Sequence, residues 1–151
     1  MADEVHHRKL EHLYGAAPVT RWYGATIRIS DGQAEVRIPV RAEFCHAARA
    51  VHGSVYFRAL DDAAFFAANS RVTNVLVLTV SFTVHFTAAI REGELRALGR
   101  VAHEGGRLLL AESEVRDDAG RLLAKGSGVF TRSRIALTEE IGYADPRPTP
   151  R

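Results

Sequence analysis

The stretch from His52 to Ser70, HGSVYFRALDDAAFFAANS, most limits what this chain can fold into. On a helical projection its apolar residues, from Val55 through Ala68, cover every side. A helix apolar all round is a buried helix, and this one is too short and too interrupted by charge to span a bilayer. Its centre nevertheless carries Asp61 and Asp62. Carboxylates in such a place are costly unless they are paired, hydrogen-bonded or put to use. The segment opens on His52-Gly53-Ser54, where the free amides of a helix N-terminus favour negative charge. The other elements are therefore expected to wrap one helix with polar chemistry at its start and in its middle.

What surrounds the helix is read from periodicity. Residues 3–14 suit a short amphipathic helix, with His6, His7 and His12 on a solvated face, and Gly15 and Pro18 punctuate its end. From Thr20 the period becomes two, and Asp31-Gly32 signals a hairpin leading into Ala34, Val36, Ile38 and Val40. Pro39 marks a strand end or an edge, because it cannot donate to a ladder. After the helix, Leu76, Leu78, Val80, Phe82, Val84 and Phe86 share one strand face and are expected to pack on it. The other face, with Thr79, Ser81, Thr83 and His85, suits water or a second subunit. Three further strands follow the turns at Glu92-Gly93, Gly105-Gly106 and Asp117–Gly120, completing a four-stranded antiparallel meander. Gly126 and Gly128 share a face with Ala124 and Phe130, which suggests close approach of another element. The tail, 138–151, carries Pro146, Pro148 and Pro150 and is expected to be extended or mobile and to cover a surface. This order is α+β, one long helix against one antiparallel sheet. A single domain is expected over 1–151, with an N-terminal helical segment 1–19, a core 20–133 and the tail.

Composition removes several functional classes. With 46% apolar and 25% charged residues in 151, the chain has the balance of an ordinary globular domain. Its net charge is +2 and its basic residues are interleaved with acids, so no nucleic-acid footprint is visible. Cys45 is the one cysteine, which excludes an intrachain disulfide and fits a reducing compartment. The first fifteen residues carry charge throughout and do not read as a signal peptide. No membrane segment is read, and a cytoplasmic location is expected. Only Lys9 and Lys125 are lysines, so arginine supplies almost all the positive charge. That reflects either a coding bias or recognition of an anionic ligand. Cys45-His46 lacks an orienting acid and does not read as a nucleophilic dyad.

His52-Gly53-Ser54, Leu60-Asp61 and the alanine-rich helix ending at Asn69-Ser70 resemble the helix signature of the hotdog-fold acyl-CoA thioesterases. The group concerned includes the phenylacetate-degradation and 4-hydroxybenzoyl-CoA enzymes. The spacing from His52 through Asp61 matches, and the resemblance covers roughly residues 20–133. It implies a hotdog fold, an acyl-CoA substrate, no metal or cofactor, and a homodimer or dimer of dimers with sites between subunits. By the same resemblance the Gly53 amide polarises the thioester carbonyl and Asp61 is nucleophile or general base. Thr79 assists from the next strand, and His46 stands where the family often has Asn or Gln. His52, Ser54, which replaces a motif glycine, and Asp62 are expected beside the substrate. Arg91, Arg107 and Arg132 are candidates for the coenzyme A phosphates. Tyr23, Tyr56, Phe57 and Phe65 line either an acyl pocket or plain core.

Geometry adds a constraint of its own. Gly53 and Asp61 are eight residues apart, about 12 Å along a helix at 1.5 Å per residue. They cannot reach one carbonyl from the same chain, so a site using both needs two copies. Asp62 points about 100° away from Asp61 and is expected to pair with Arg58 at i−4. Two other readings stand beside hydrolysis: a non-catalytic hotdog module that binds an acyl-CoA or acyl carrier, and an enoyl-CoA hydratase.

Overall fold

The computed structural model describes residues 2–146. Helix α1 (Ala2–Ala16) is followed by a short helix α2 (Pro18–Tyr23), then by strands β1 (Thr26–Ser30) and β2 (Gln33–Pro39). The central helix α3 spans Gly53–Asn69. After it come β3 (Val75–Phe86), β4 (Glu94–Glu104), β5 (Leu108–Arg116) and β6 (Leu122–Ala136). All six strands form one antiparallel sheet in the order β1-β2-β4-β5-β6-β3, and α3 lies across its inner face.

That inner face explains the packing. Val36, Ile38, Leu95, Ala97, Val115 and Leu123 point from alternate strand positions onto Val55, Ala59, Leu60 and Ala63 of the helix, and all are buried. Ala64 and Ala68 meet Val77, Leu109, Ala111 and Phe130 further along. The helix comes so close that a Cβ on Gly99 would run into the Ala63 carbonyl. Gly99→Ala is accordingly expected to cost about 2 kcal/mol through overpacking, read as a lower midpoint in urea or thermal unfolding. Gly126 and Gly128 leave room for the Phe82 ring, the close approach that their placement suggested.

Several expectations are corrected. The four strands after the helix are not a meander, because β3 pairs with β6 while β4 sits between β2 and β5. The side of β4 away from β5 is taken by the hairpin, so β3 adds at the far edge. Period two does not begin at Thr20. Pro18 at the first turn favours α2, and Gly24, left-handed at φ 65°, ends it. His6 and His7 are buried, not solvated. His6 bonds the Tyr143 hydroxyl (2.8 Å) and the Asn69 carbonyl (2.9 Å), and His12 bonds the Gly142 carbonyl (2.8 Å). The start of the tail is thereby folded over α1, with Leu137 and Tyr143 packed beside Leu10 and Ala67. The expectation of an extended tail over 147–151 lies outside the described residues.

Strand β3 holds the correction that matters for function. Its apolar residues do not share one helix-facing side. The register shifts between Thr79 and Ser81, leaving Val80 as an extra residue in a β-bulge. Before the bulge Val77 and Thr79 face α3, and Leu78 and Val80 are exposed; beyond it Phe82 packs on the helix. A one-residue insertion flips the alternation, and it turns Thr79, itself exposed, toward Asp61 of α3.

Candidate functional site

The helix α3 is not covered on every side. Phe57 is 42% exposed, and Arg58, Asp61 and Phe65 are partly so. Phe57, Asp61 and Phe65 fall at i, i+4 and i+8, so they form one strip along the helix. Asp61 is the acid within it. The bulge brings Thr79 to this strip, and its hydroxyl donates to Asp61 Oδ1 at 2.9 Å. Asn69 sets the approach of the strand, since its side chain donates to Val72 and Val75 carbonyls and accepts from the Val77 amide at 2.9 Å. Burial pushes the Asp61 carboxyl above the usual aspartate range, against the opposing pull of the Thr79 hydrogen bond and the Arg58 charge.

Asp62 has a different environment. It is 8% exposed, and the Tyr14 hydroxyl donates to Oδ2 at 2.7 Å. Arg58 Nε lies 2.7 Å from the same oxygen, off the direction of a well-formed hydrogen bond, so that contact is chiefly ionic. The Arg58–Asp62 pair read from the i,i+4 spacing is thus present. Arg58 also donates to Thr20 Oγ1 and stacks over the Tyr14 and Tyr23 rings. Burial lifts Asp62 to about 6, with Arg58 and Tyr14 pulling the other way, and burial together with the adjacent carboxylate raises Tyr14. Tyr14 and Thr20 were not legible as site neighbours. They stand 48 and 38 residues from their partners, and no local spacing signals such contacts.

At the helix start, His52 is the N-cap. Its Nδ1 accepts from the Ser54 amide (3.1 Å) and lies 2.7 Å from the Ser54 hydroxyl. An amide can only donate, so in the neutral ring the proton sits on Nε2. Val55 donates back to the His52 carbonyl. Among the described residues no acceptor takes the Gly53 amide, so this N–H is left pointing out of the first turn. His52 and Ser54 are therefore engaged with each other, and Gly53 carries the free donor.

His46 is not beside Asp61 of its own chain. It is exposed in the loop closed by the Cys45–Val51 bridge, where its Nδ1 accepts from the Ala48 amide at 3.1 Å. It borders a hollow of about 430 Å³ with Arg41, Arg49 and Arg91. Arg132 is tied to Glu104 and to the Gly105 and Gly106 carbonyls. Tyr56 belongs to the core, linking the Ala88 carbonyl and Ile90 amide. The structure thus joins Asp61 to Thr79, keeps Gly53 eight residues away at the helix start, and places His46 in a separate hollow. Among the described residues no helix is long and apolar enough to cross a membrane.

The sequence profile of the thioesterase superfamily matches residues 49–124, which hold the whole of α3 and strands β3 to β5. An Archaeoglobus fulgidus protein named "putative esterase" is 31% identical over 107 residues, 70% of this chain and 68% of that one. Among solved structures, a conserved Pseudomonas aeruginosa protein is 30% identical, with a TM-score of 0.72 over 78% of this chain and 94% of that one. The Escherichia coli PaaI protein from the phenylacetic acid degradation operon is 21% identical. It superposes with a TM-score of 0.79 over 89% of this chain and 99% of its own, which is a likeness of fold. A long helix on a six-stranded antiparallel sheet is the hotdog fold that the helix signature implied. The chain belongs to the thioesterase superfamily.

Proposed function

We propose that this chain is an acyl-CoA thioesterase in which Asp61, held by Thr79, is the reacting acid. The observation that carries the reading is the Thr79–Asp61 hydrogen bond of 2.9 Å on the one strip of α3 left uncovered. Asp61 is partly desolvated, ionisable and backed by one donor, as a nucleophile or general base needs. The Gly53 amide supplies the complementary part. It is a donor at a helix N-terminus, able to meet the oxyanion that forms as the thioester carbonyl is attacked.

In this mechanism Asp61 either adds to the carbonyl carbon or removes a proton from a water that does so. The tetrahedral oxyanion accepts the Gly53 N–H. Its collapse breaks the C–S bond, releases the coenzyme A thiolate, which takes up a proton, and leaves the free acid, directly or after water cleaves an acyl-Asp61 anhydride. Because Gly53 and Asp61 lie about 12 Å apart on one helix, each carbonyl is gripped by Gly53 of one copy and attacked by Asp61 of another. Two features suit a two-fold homodimer: the uncovered strip, and the free edge of β3 beside the exposed Leu78 and Val80. His46, His52, Ser54 and Asp62 are assigned lesser roles, the middle two as the cap that aims the Gly53 amide. No metal or cofactor is required.

A hydrolysis screen over aryl-, short- and medium-chain acyl-CoAs tests the reading by release of free thiol. Tight binding of acyl-CoA by the wild type without turnover would instead make the chain a binding module, and hydration of an enoyl-CoA would make it a hydratase. Thr79 gives a sharper test. Its hydroxyl favours ionised Asp61, so Thr79→Ala is expected to lift the Asp61 pKa further above its ordinary value. The acid limb of the kcat/KM profile should then move to higher pH, with Thr79→Ser restoring it. An unmoved limb removes Thr79 from the site.

A further inference from the structure

Between α1–α2 and α3 lies a cavity of about 210 Å³ that reaches Asp61. Its polar side chains are already engaged with one another. Tyr14 donates to Asp62, Asp62 faces Arg58, and Arg58 donates to Thr20. What remains for a guest is Leu13, Ala17, Phe65, Phe66 and Leu76, with the Asp61 carboxylate at one side. Resting on the thioesterase reading above, we propose that this cavity receives the acyl group of the substrate, and that Ala17, at the α1–α2 junction, sets the size it accepts.

Cavities that enclose drug-sized ligands measure roughly 300–1,000 Å³, whereas an apolar cavity of roughly 150 Å³ holds a benzene ring. A hollow of about 210 Å³, open to solvent on one side, therefore shelters one ring or a chain of about six carbons and leaves the rest of a longer acyl chain uncovered. Arg58 is the one cation on this wall among the described residues, and Asp62 engages it. A second carboxylate on the acyl group would meet Asp61 with no free positive partner, so the accepted group is uncharged. The wall also has two origins. Asp61, Phe65, Phe66 and Leu76 fall within residues 49–124, the part shared with the superfamily. Leu13, on α1, and Ala17, at the α1–α2 junction, lie outside that part, so acyl selectivity is placed on the segment N-terminal to the part shared with the superfamily.

Ala17 is the position where one substitution changes the volume most simply. It precedes Pro18 with an extended backbone (φ −68°, ψ 130°) and makes no side-chain cap, so a larger side chain is compatible with the turn. The experiment measures kcat/KM for straight-chain acyl-CoAs from acetyl to decanoyl, with wild type, Ala17→Leu and Leu13→Ala. The readout is the ratio of hexanoyl- to acetyl-CoA within each protein, which a loss of folded enzyme does not alter. Ala17→Leu is expected to lower that ratio about tenfold, the effect of removing room for one or two methylenes. Leu13→Ala is expected to shift the optimum to longer chains, a gain that misfolding cannot imitate. Turnover by wild type with the same ratio in both variants overturns the pocket assignment alone. No turnover of any thioester by wild type overturns the thioesterase reading itself.

Discussion

Asp61→Asn is expected to fold normally and to lose acyl-CoA hydrolysis by about 10³-fold or more, in the range that removal of a general base or nucleophile produces. Asparagine keeps an acceptor for the Thr79 hydroxyl, which bonds Asp61 at 2.9 Å, so the strand stays docked. The amide also removes a partly buried charge. The folded-state pKa of Asp61 is raised, so the native state binds its proton more tightly than the unfolded chain does. This group therefore supports stability most at low pH, and its contribution falls as pH rises through the raised value. The variant should match or exceed the wild-type midpoint at neutral pH while being inactive. A second variant tests the division of labour between copies. Gly53→Pro removes the proposed oxyanion donor at the first helical position, where proline is well tolerated, and should cost about 10²–10³-fold. If each site joins Gly53 of one copy to Asp61 of another, a mixed dimer of the two variants contains one intact site and one doubly defective site. Co-expression should then restore activity that neither variant has alone. Continued inactivity of a mixed dimer shown to form would mean that Gly53 and Asp61 do not act on the same carbonyl.

The helix was legible because its signals are local. An apolar run of helical length, a His-Gly start and an Asn-Ser end lie within one stretch, and α3 follows it to within a residue. The hairpin at Asp31-Gly32 was legible for the same reason. The turn of Thr79 toward Asp61 was not. Strict alternation predicts that Leu78 and Val80 face the helix together with Phe82, but one extra residue enters the ladder at Val80, so the alternation that fits from Phe82 onward is out of step before it. Nothing in a pattern of period two announces that insertion, because its cause is the pairing with β6, some fifty residues on. The buried histidines failed likewise. His6 reads as polar helix surface until Tyr143, 137 residues away, and Asn69 supply its partners. Motif spacing singles out the candidate acid, whereas its surroundings, Tyr14 and Thr20 around Asp62 and the hollow beside Asp61, are assembled by tertiary packing alone.

The neighbouring acid should give the opposite result. Asp62→Ala is expected to destabilise the fold by about 3 kcal/mol, the scale of breaking a buried pair by removing one partner. Arg58, whose side chain is 20% exposed, would keep its Thr20 bond and its stacking on Tyr14 and Tyr23 but lose its counter-charge. The Tyr14 hydroxyl would lose its acceptor in a buried setting. In a domain of this size the loss corresponds to about 6–12 °C in melting temperature. The pH dependence separates the pair from a simple packing defect. Asp62 titrates near 6 in the folded chain, above the ordinary 3.8. Its own contribution is therefore greatest below that ordinary value and declines as pH rises through about 6, and Asp62→Ala should remove this component from the stability curve. Arg58→Ala should also destabilise, and it should lift the Asp61 pKa as well, because the Arg58 charge opposes the upward push of burial on that carboxyl. Activity per folded molecule is the deciding measurement. Asp62→Ala should retain most of it at low temperature, because its carboxylate is committed to Arg58 and Tyr14 and not to the carbonyl. A variant that stays fully folded but inactive would transfer the reacting role from Asp61 to Asp62.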